Sequence, residues 1–459
     1  MSLRSWQSKL IFAVLIILAA ISVVQGVRNA LRFSQDFQWD ASRALLIGIN
    51  PYEQSIADAE EEKAGKSRQL QKEKTISSAV RAKENGGSQK GSEDGEIEDT
   101  DPTKSGTEKG QVVNKPGEDL PARGGETEDI TFRPLGDQRL DEFYRSFAEI
   151  KAPQKMEANQ FPSLLMLLFP LALLPWHIAK VIWLLLNLFF TAGIIFLLRK
   201  TFFKEIKREL FLAVMLLMVA GTPWRNQIGV GQHTLFSLFF LLLAVFFSEK
   251  KGLGAGIAVA LSLTLSYFKY TVTAPLALYF IYKRRWKEFA ASVLLHIGGT
   301  FWAARHLGAS FLDMIRQPLQ VSSFLTGEGS IDVGVLTGGA AWSPILALVI
   351  MGILFFLALR LPKGMDTEYF TLALLFCLIM TYHRSYDFFV LAAAAAGVYG
   401  ISNSGRYRIL SIYTLLLLWI FFGLRLFSEN RFSLTIAGIF YYAFLLLYGS
   451  ELVKRWKQV

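Results

Sequence analysis

Apolar runs of membrane length, separated by short basic loops, fill most of the chain. The first is nearly unbroken from Leu10 to Val24 and follows Arg4 and Lys9, a pattern shared by signal peptides and first transmembrane helices. No small-x-small cleavage pattern closes it well, and the many later runs favour a retained helix. Those later runs, at 178–198, 209–223, 234–248, 252–267, 271–282, 288–304, 341–361, 368–382, 386–401, 408–427 and 433–452, read as bilayer-crossing helices. The run at 271–282 is shorter than a crossing requires. Residues 161–174 carry Pro162 and Pro170 and are also too short to span. If that segment dips in and returns, the basic clusters Arg199/Lys200/Lys204/Lys207/Arg208, Lys250/Lys251, Lys283/Arg284/Arg285/Lys287, Arg406/Arg408 and Lys454/Arg455/Lys457 all fall on the inner side. The pattern predicts an all-α, polytopic membrane protein of about twelve helices with both termini cytoplasmic.

Two stretches break this rhythm. Residues 53–135 are rich in Glu, Lys, Gly, Ser and Asp and poor in apolar residues, so they cannot bury enough surface to offset their ordering entropy, and disorder is expected. Between Arg139 and Lys151 an amphipathic pattern resumes at Leu140, Phe143, Phe147 and Ile150, which suggests a helix on the membrane surface. The expected organisation is a first transmembrane helix (1–27), an outer loop (28–52), the insertion (53–135), interfacial and re-entrant helices (136–177), and the helical bundle (178–459).

Composition agrees with a membrane protein, with 52% hydrophobic and 14% aromatic residues, and argues against a string of soluble domains. The net charge of +10 hides a split: the insertion carries 13 Lys/Arg and 19 Asp/Glu, leaving 35 basic against 19 acidic residues elsewhere. Because the basic residues cluster at span ends, positive-inside placement accounts for them and nucleic acid is not an expected partner. The single cysteine, Cys377, lies in an apolar run, which removes any disulfide framework or Cys-based metal site.

Cations on the side opposite the positive-inside rule need another explanation. The short outer loops hold Arg225, Gln227, Gly231-Gln232-His233, Lys269, Arg305-His306, Arg316 and His383-Arg384-Ser385-Tyr386-Asp387. A lipid phosphate at the outer leaflet supplies a reason, since Arg and Lys hold phosphate through charge-assisted hydrogen bonds. The first outer loop adds two acids, Asp36 and Asp40. If 32–43 is helical, Arg32, Asp36 and Asp40 fall at i, i+4 and i+8, on one face with Arg43 a turn further on.

The stretch Asp36-Phe37-Gln38-Trp39, a small-residue helix, then Leu45-Leu46-Ile47-Gly48-Ile49-Asn50-Pro51-Tyr52 resembles the opening of glycosyltransferase family 87. Phe161-Pro162-Ser163-Leu164 followed by Pro170-Leu171, Pro175, Ala179 and Trp183 is similar to its Pro-Pro-Leu segment and the helix after it. Gly231-Gln232-His233-Thr234 matches its Gly-Gln turn, Gly256 with Lys269-Tyr270 and Pro275 its Gly and Lys-Pro stretch, and Tyr386-Asp387-Phe388 a late Tyr-Asp motif. Ser163 stands where a second Pro is usual, Trp39 replaces a common Tyr, and the insertion interrupts the loop bearing the acid.

The resemblance implies a GT-C bundle that moves a hexose, such as mannose, from a polyprenyl-phosphate donor to a lipid, glycan or protein acceptor. The reaction would invert the anomeric carbon at the outer face of a cell membrane, bacterial plasma or inner membrane, with no cofactor and no obligatory metal. It assigns the general base to Asp36; the residues alone leave Asp40 as the alternative. Such a donor already has a good leaving group, so the chemistry asks for a base on the acceptor hydroxyl and cations for the departing phosphate. Lys269, Arg305, His306, His383 and Arg384 are the candidate phosphate ligands, and Arg225, Gln232, His233 and Asp387 the remaining substrate contacts. Plainer roles stand beside these: either acid as a cap of an interfacial helix, Lys269 as a snorkelling turn residue, His233 and His306 as packing groups. A transporter or flippase of a lipid-linked substrate would use the same cations, together with broken helices and charges near mid-membrane. A scaffold acting through the insertion would leave the outer polar set unexplained.

Overall fold

The computed structural model describes residues 6–32, 37–53, a few positions between 55 and 71, then 158–325, 331–333, 343–402 and 431–457. Asp36, nearly all of the insertion, the expected surface helix at 139–151 and the run at 408–427 lie outside the described residues. The chain divides into two units, Met1–Ile56 with Met156–Val459, and Ala57–Lys155; the helical bundle is the first. The described residues are 84% helical, with no strand among them, which places the chain in the all-α class.

In chain order the helices are α1 (Trp6–Arg32), α2 (Trp39–Leu46), α3 (Pro162–Leu165), α4 (Phe169–Ala172), α5 (Trp176–Thr201), α6 (Arg208–Ala220), α7 (Thr222–Val230) and α8 (Thr234–Ser248). They continue as α9 (Leu253–Ser266), α10 (Tyr270–Tyr282), α11 (Trp286–Leu307), α12 (Asp313–Leu325), α13 (Ser343–Arg360), α14 (Asp366–Met380), α15 (Leu391–Ser402) and α16 (Arg431–Trp456). Local sequence sets many of the ends. Pro175 precedes α5, Pro223 enters α7, and Gly231 and Gly308 close α7 and α11 in left-handed conformations (φ 72° and 65°) that glycine adopts without a Cβ penalty.

By length and composition, Lys9–Arg32, Trp176–Thr201, Leu253–Tyr282 and Thr435–Trp456 can cross a membrane, and the pair Thr222–Val230 and Thr234–Ser248, bent by 108°, is a fifth candidate. The expected dozen is therefore not reached among the described residues. Helices such as α6, α14 and α15 have 13, 15 and 12 residues. At 1.5 Å per residue they are about 20 Å long, short of a hydrocarbon core of about 30 Å. The first helix also runs to Arg32, beyond the expected boundary at 27. Arg225 and Gln227, expected in a loop, lie within α7.

Leu253–Tyr282 is apolar enough in total to count as one crossing, yet it is not one rod. Lys269 leaves helical dihedrals (φ −112°, ψ 68°). Arg285, just past the end of α10, donates to the carbonyls of Ser248 and Lys250, just before the start of α9, at 2.6 Å each. The chain thus doubles back at Tyr267–Lys269, and α9 and α10 both run from one end of the bundle to that turn. Charged residues gather at the opposite end, where Lys204 pairs with Glu249, Lys283 with Asp366 and Arg455 with Glu368. This common basic end is what positive-inside placement asks of span termini. The other end holds the helix breaks at 231–233, 267–269 and 381–390.

Candidate active site

The face of α5 that bears Trp176, Lys180 and Trp183, at i, i+4 and i+7, organises the first loop. Phe37 stacks between the two indoles, 5.3 Å from each at interplanar angles of 9° and 16°. Between them the buried Lys180 ammonium donates to the Leu31 carbonyl at 2.8 Å, one of the last carbonyls of α1. A cation suits that helix end. The chain is therefore held to α5 on either side of residues 33–36, although Asp36 is outside the described residues.

A continuous helix over 32–43 does not form. Gln38 takes a left-handed conformation (φ 60°, ψ 30°) and α2 starts only at Trp39, so Arg32, at the end of α1, and Asp40 belong to different helices. Asp40 occupies the first turn of α2, where a carboxylate is favoured by the helix dipole, and its Oδ1 accepts from the Ala41 amide at 2.9 Å. α2 itself rests on carbonyls of the segment after Pro162. Trp39 Nε1 donates to Leu171 (2.9 Å), Ser42 Oγ to Leu165 (2.8 Å) and Arg43 to Ala172 (3.4 Å).

Trp183 extends the site inward by donating to the Gly231 carbonyl at 2.7 Å and packing on His233, whose ring also lies 4.4 Å from Phe268. His233 and Gln232 are both buried, and the Gln232 carbonyl accepts from the Gln227 amide. Thr234, at the start of α8, donates its hydroxyl to Asp387 Oδ1 at 2.5 Å. One turn on, the Ser237 hydroxyl accepts from the Lys269 amide at 2.8 Å, which fixes the α9–α10 turn against α8.

Asp387 is the centre of this cluster. Its Oδ2 lies 3.1 Å from His383 Nδ1 and 3.8 Å from Lys269 Nζ. A carboxylate only accepts, so His383 Nδ1 carries a proton. A carboxylate this deeply buried is tolerable because two basic groups and a hydroxyl surround it. Lys269 has one open side: its side chain is 14% exposed against 1% for Asp387, and its ammonium lies 5.6 Å from the Tyr386 ring. Asp387 is thus enclosed, and Lys269 is the part of this pair that remains partly open.

Of the five expected phosphate ligands, Lys269 and His383 meet. Arg305 and His306 do not join them; they are exposed on the last turn of α11, where His306 stacks on Trp302 at 5.1 Å. Arg384 is exposed and its Nε donates to the Tyr382 hydroxyl. Arg225 donates to Gln25 Oε1 at 2.7 Å and to Thr222, tying α7 to α1. Replacing Arg305 or His306 by Gln should therefore leave turnover of the purified protein close to wild type. A loss as large as that from Lys269 variants would return them to the site. Sequence reasoning missed Lys180, Trp176 and Ser237, and named Thr234 in the Gly-Gln turn without giving it a role; the Trp-Lys-Trp spacing on α5 was the available signal for the first two.

Residues 162–382 match the model of glycosyltransferase family 87. No curated protein and no solved structure matches the chain. The matched stretch takes in the Gly231-Gln232-His233 turn and Lys269 but neither Asp36 nor Asp387, so it is narrower than the motif resemblance. Over that stretch the chain resembles glycosyltransferase family 87.

Proposed function

We propose that this protein transfers a hexose, such as mannose, from a polyprenyl-phosphate donor to a lipid, glycan or protein acceptor at the outer face of a cell membrane, on a GT-C-type bundle of about twelve helices. Asp36 takes the proton of the acceptor hydroxyl as its oxygen attacks the anomeric carbon from the face opposite the phosphate. The bond to the phosphate oxygen breaks with its electron pair, and Lys269 stabilises the charge that develops there, with His383 and Asp387 behind it. Asp40 is the alternative base. Carrying this reading is the meeting of Lys269, His383 and Asp387 beside His233, which Trp183 links to Phe37, the residue after Asp36. Base and leaving-group stabiliser must flank one carbon. The test is to incubate membranes containing the protein with labelled polyprenyl-phosphate sugars; absence of transfer from every such donor sinks the reading.

A second reading has an observation in its favour. The 108° break between α7 and α8 and the pairing of the partly open Lys269 with the buried Asp387 are features that a transporter or flippase of lipid-linked substrates would show. Movement of an intact labelled lipid across proteoliposomes, without bond cleavage, would select it.

The insertion should be dispensable for the chemistry, because its composition cannot build a site. Loop-closure entropy changes slowly with length, so replacing 53–135 by a short Gly/Ser linker should cost little stability and leave transfer intact. Loss of transfer in a monodisperse deletion variant would show that the segment binds acceptor or a partner.

A further inference from the structure

Ser163 departs from the proline usual in the resembling motif, and the structure shows what its hydroxyl does. It lies 2.8 Å from Nδ1 of His296, midway along α11, while His296 Nε2 lies 2.8 Å from the Thr264 carbonyl on α9. A carbonyl only accepts, so Nε2 carries a proton, and a ring with that single proton leaves Nδ1 to accept from Ser163. One turn along α11, a Cβ on Gly299 would meet the Ser163 Cβ at 2.9 Å, so α3 and α11 touch nearly backbone to backbone at this point. The bond fixes where the segment 162–172 sits along α11. Two residues after Ser163, the Leu165 carbonyl receives Ser42, and further on Leu171 and Ala172 receive Trp39 and Arg43. The helix that bears Asp40, and that starts two residues after Phe37, is seated on this segment.

We propose that His296 and Ser163 are positioning residues for the transfer reaction: their bond sets the seat of α2, the helix that bears Asp40 and Arg43. This rests on the transferase reading above. The test uses the full-length protein in lipid nanodiscs, with Ser163→Ala, His296→Asn and His296→Gln compared for kcat, for donor KM, and for the mobility of a spin label at Ile47→Cys. Ile47 is exposed at the end of α2, and the native Cys377 is buried. The Asn amide oxygen replaces Nδ1 and keeps the bond to Ser163, whereas the Gln amide nitrogen replaces Nε2 and keeps only the bond to Thr264. Ser163→Ala and His296→Gln should lower kcat roughly ten- to a hundredfold, as displacement by a fraction of an ångström to an ångström does, with donor KM near wild type and a more mobile label. His296→Asn should stay near wild type in both readouts. Unchanged label mobility in Ser163→Ala, or Asn and Gln variants that behave alike, would overturn the proposal. If the wild-type protein transfers nothing from any polyprenyl-phosphate sugar, the transferase reading fails, and label mobility alone decides whether the Ser163–His296 bond seats α2.

Discussion

Asp36→Asn should abolish transfer while leaving the amount and dispersity of the purified protein unchanged. The amide keeps the shape of the carboxylate and cannot accept the acceptor's proton, and a general base contributes about two to four orders of magnitude. Asp40→Asn is the control with a defined alternative. In the first turn of α2 its carboxylate favours the helix dipole, so its replacement should cost a fraction of a kcal/mol to about 1 kcal/mol of stability and leave most of the turnover. Near wild-type turnover in Asp36→Asn, with a dead Asp40→Asn, would move the base to Asp40.

The second large effect belongs to Lys269. Lys269→Met removes the partly open cation of the cluster and should lower kcat/KM for the donor by roughly 10²–10³-fold, the scale of one lost charge-stabilising donor. Both kcat and KM should worsen, because the phosphate is charged in the ground state and gains charge on leaving. Stability falls as well, since Asp387 loses one of its basic neighbours in a buried site. The double variant Lys269→Met/Asp387→Asn separates the two effects. Removing both charges should restore the lost stability without restoring transfer. Recovery of transfer in the double variant would make Lys269 a structural counter-charge, and the leaving group would need another stabiliser.

Read by itself, the sequence determined that the protein is all-α, that its apolar runs belong in a membrane and that its basic clusters mark one set of helix ends. These follow from local properties: apolar surface must leave water, lipid-exposed backbone must be satisfied within helices, and Lys and Arg favour one side. It also identified Lys269, His383 and Asp387 as polar groups out of place. Only the tertiary structure decided that these three meet, and that Arg305 and His306, of the same charge class and at a helix end as well, do not. Convergence depends on how helices far apart in the chain cross, which no local pattern encodes. The left-handed Gln38 is a similar case: a residue without special turn propensity is held there while Phe37 packs between Trp176 and Trp183. Ser163 looked like a lost proline until His296, 133 positions away, was seen to take its hydroxyl. In each case burial and one long-range partner outweigh the local preference, because an unpaired polar group or a misplaced aromatic inside the bundle costs more than a single strained backbone angle.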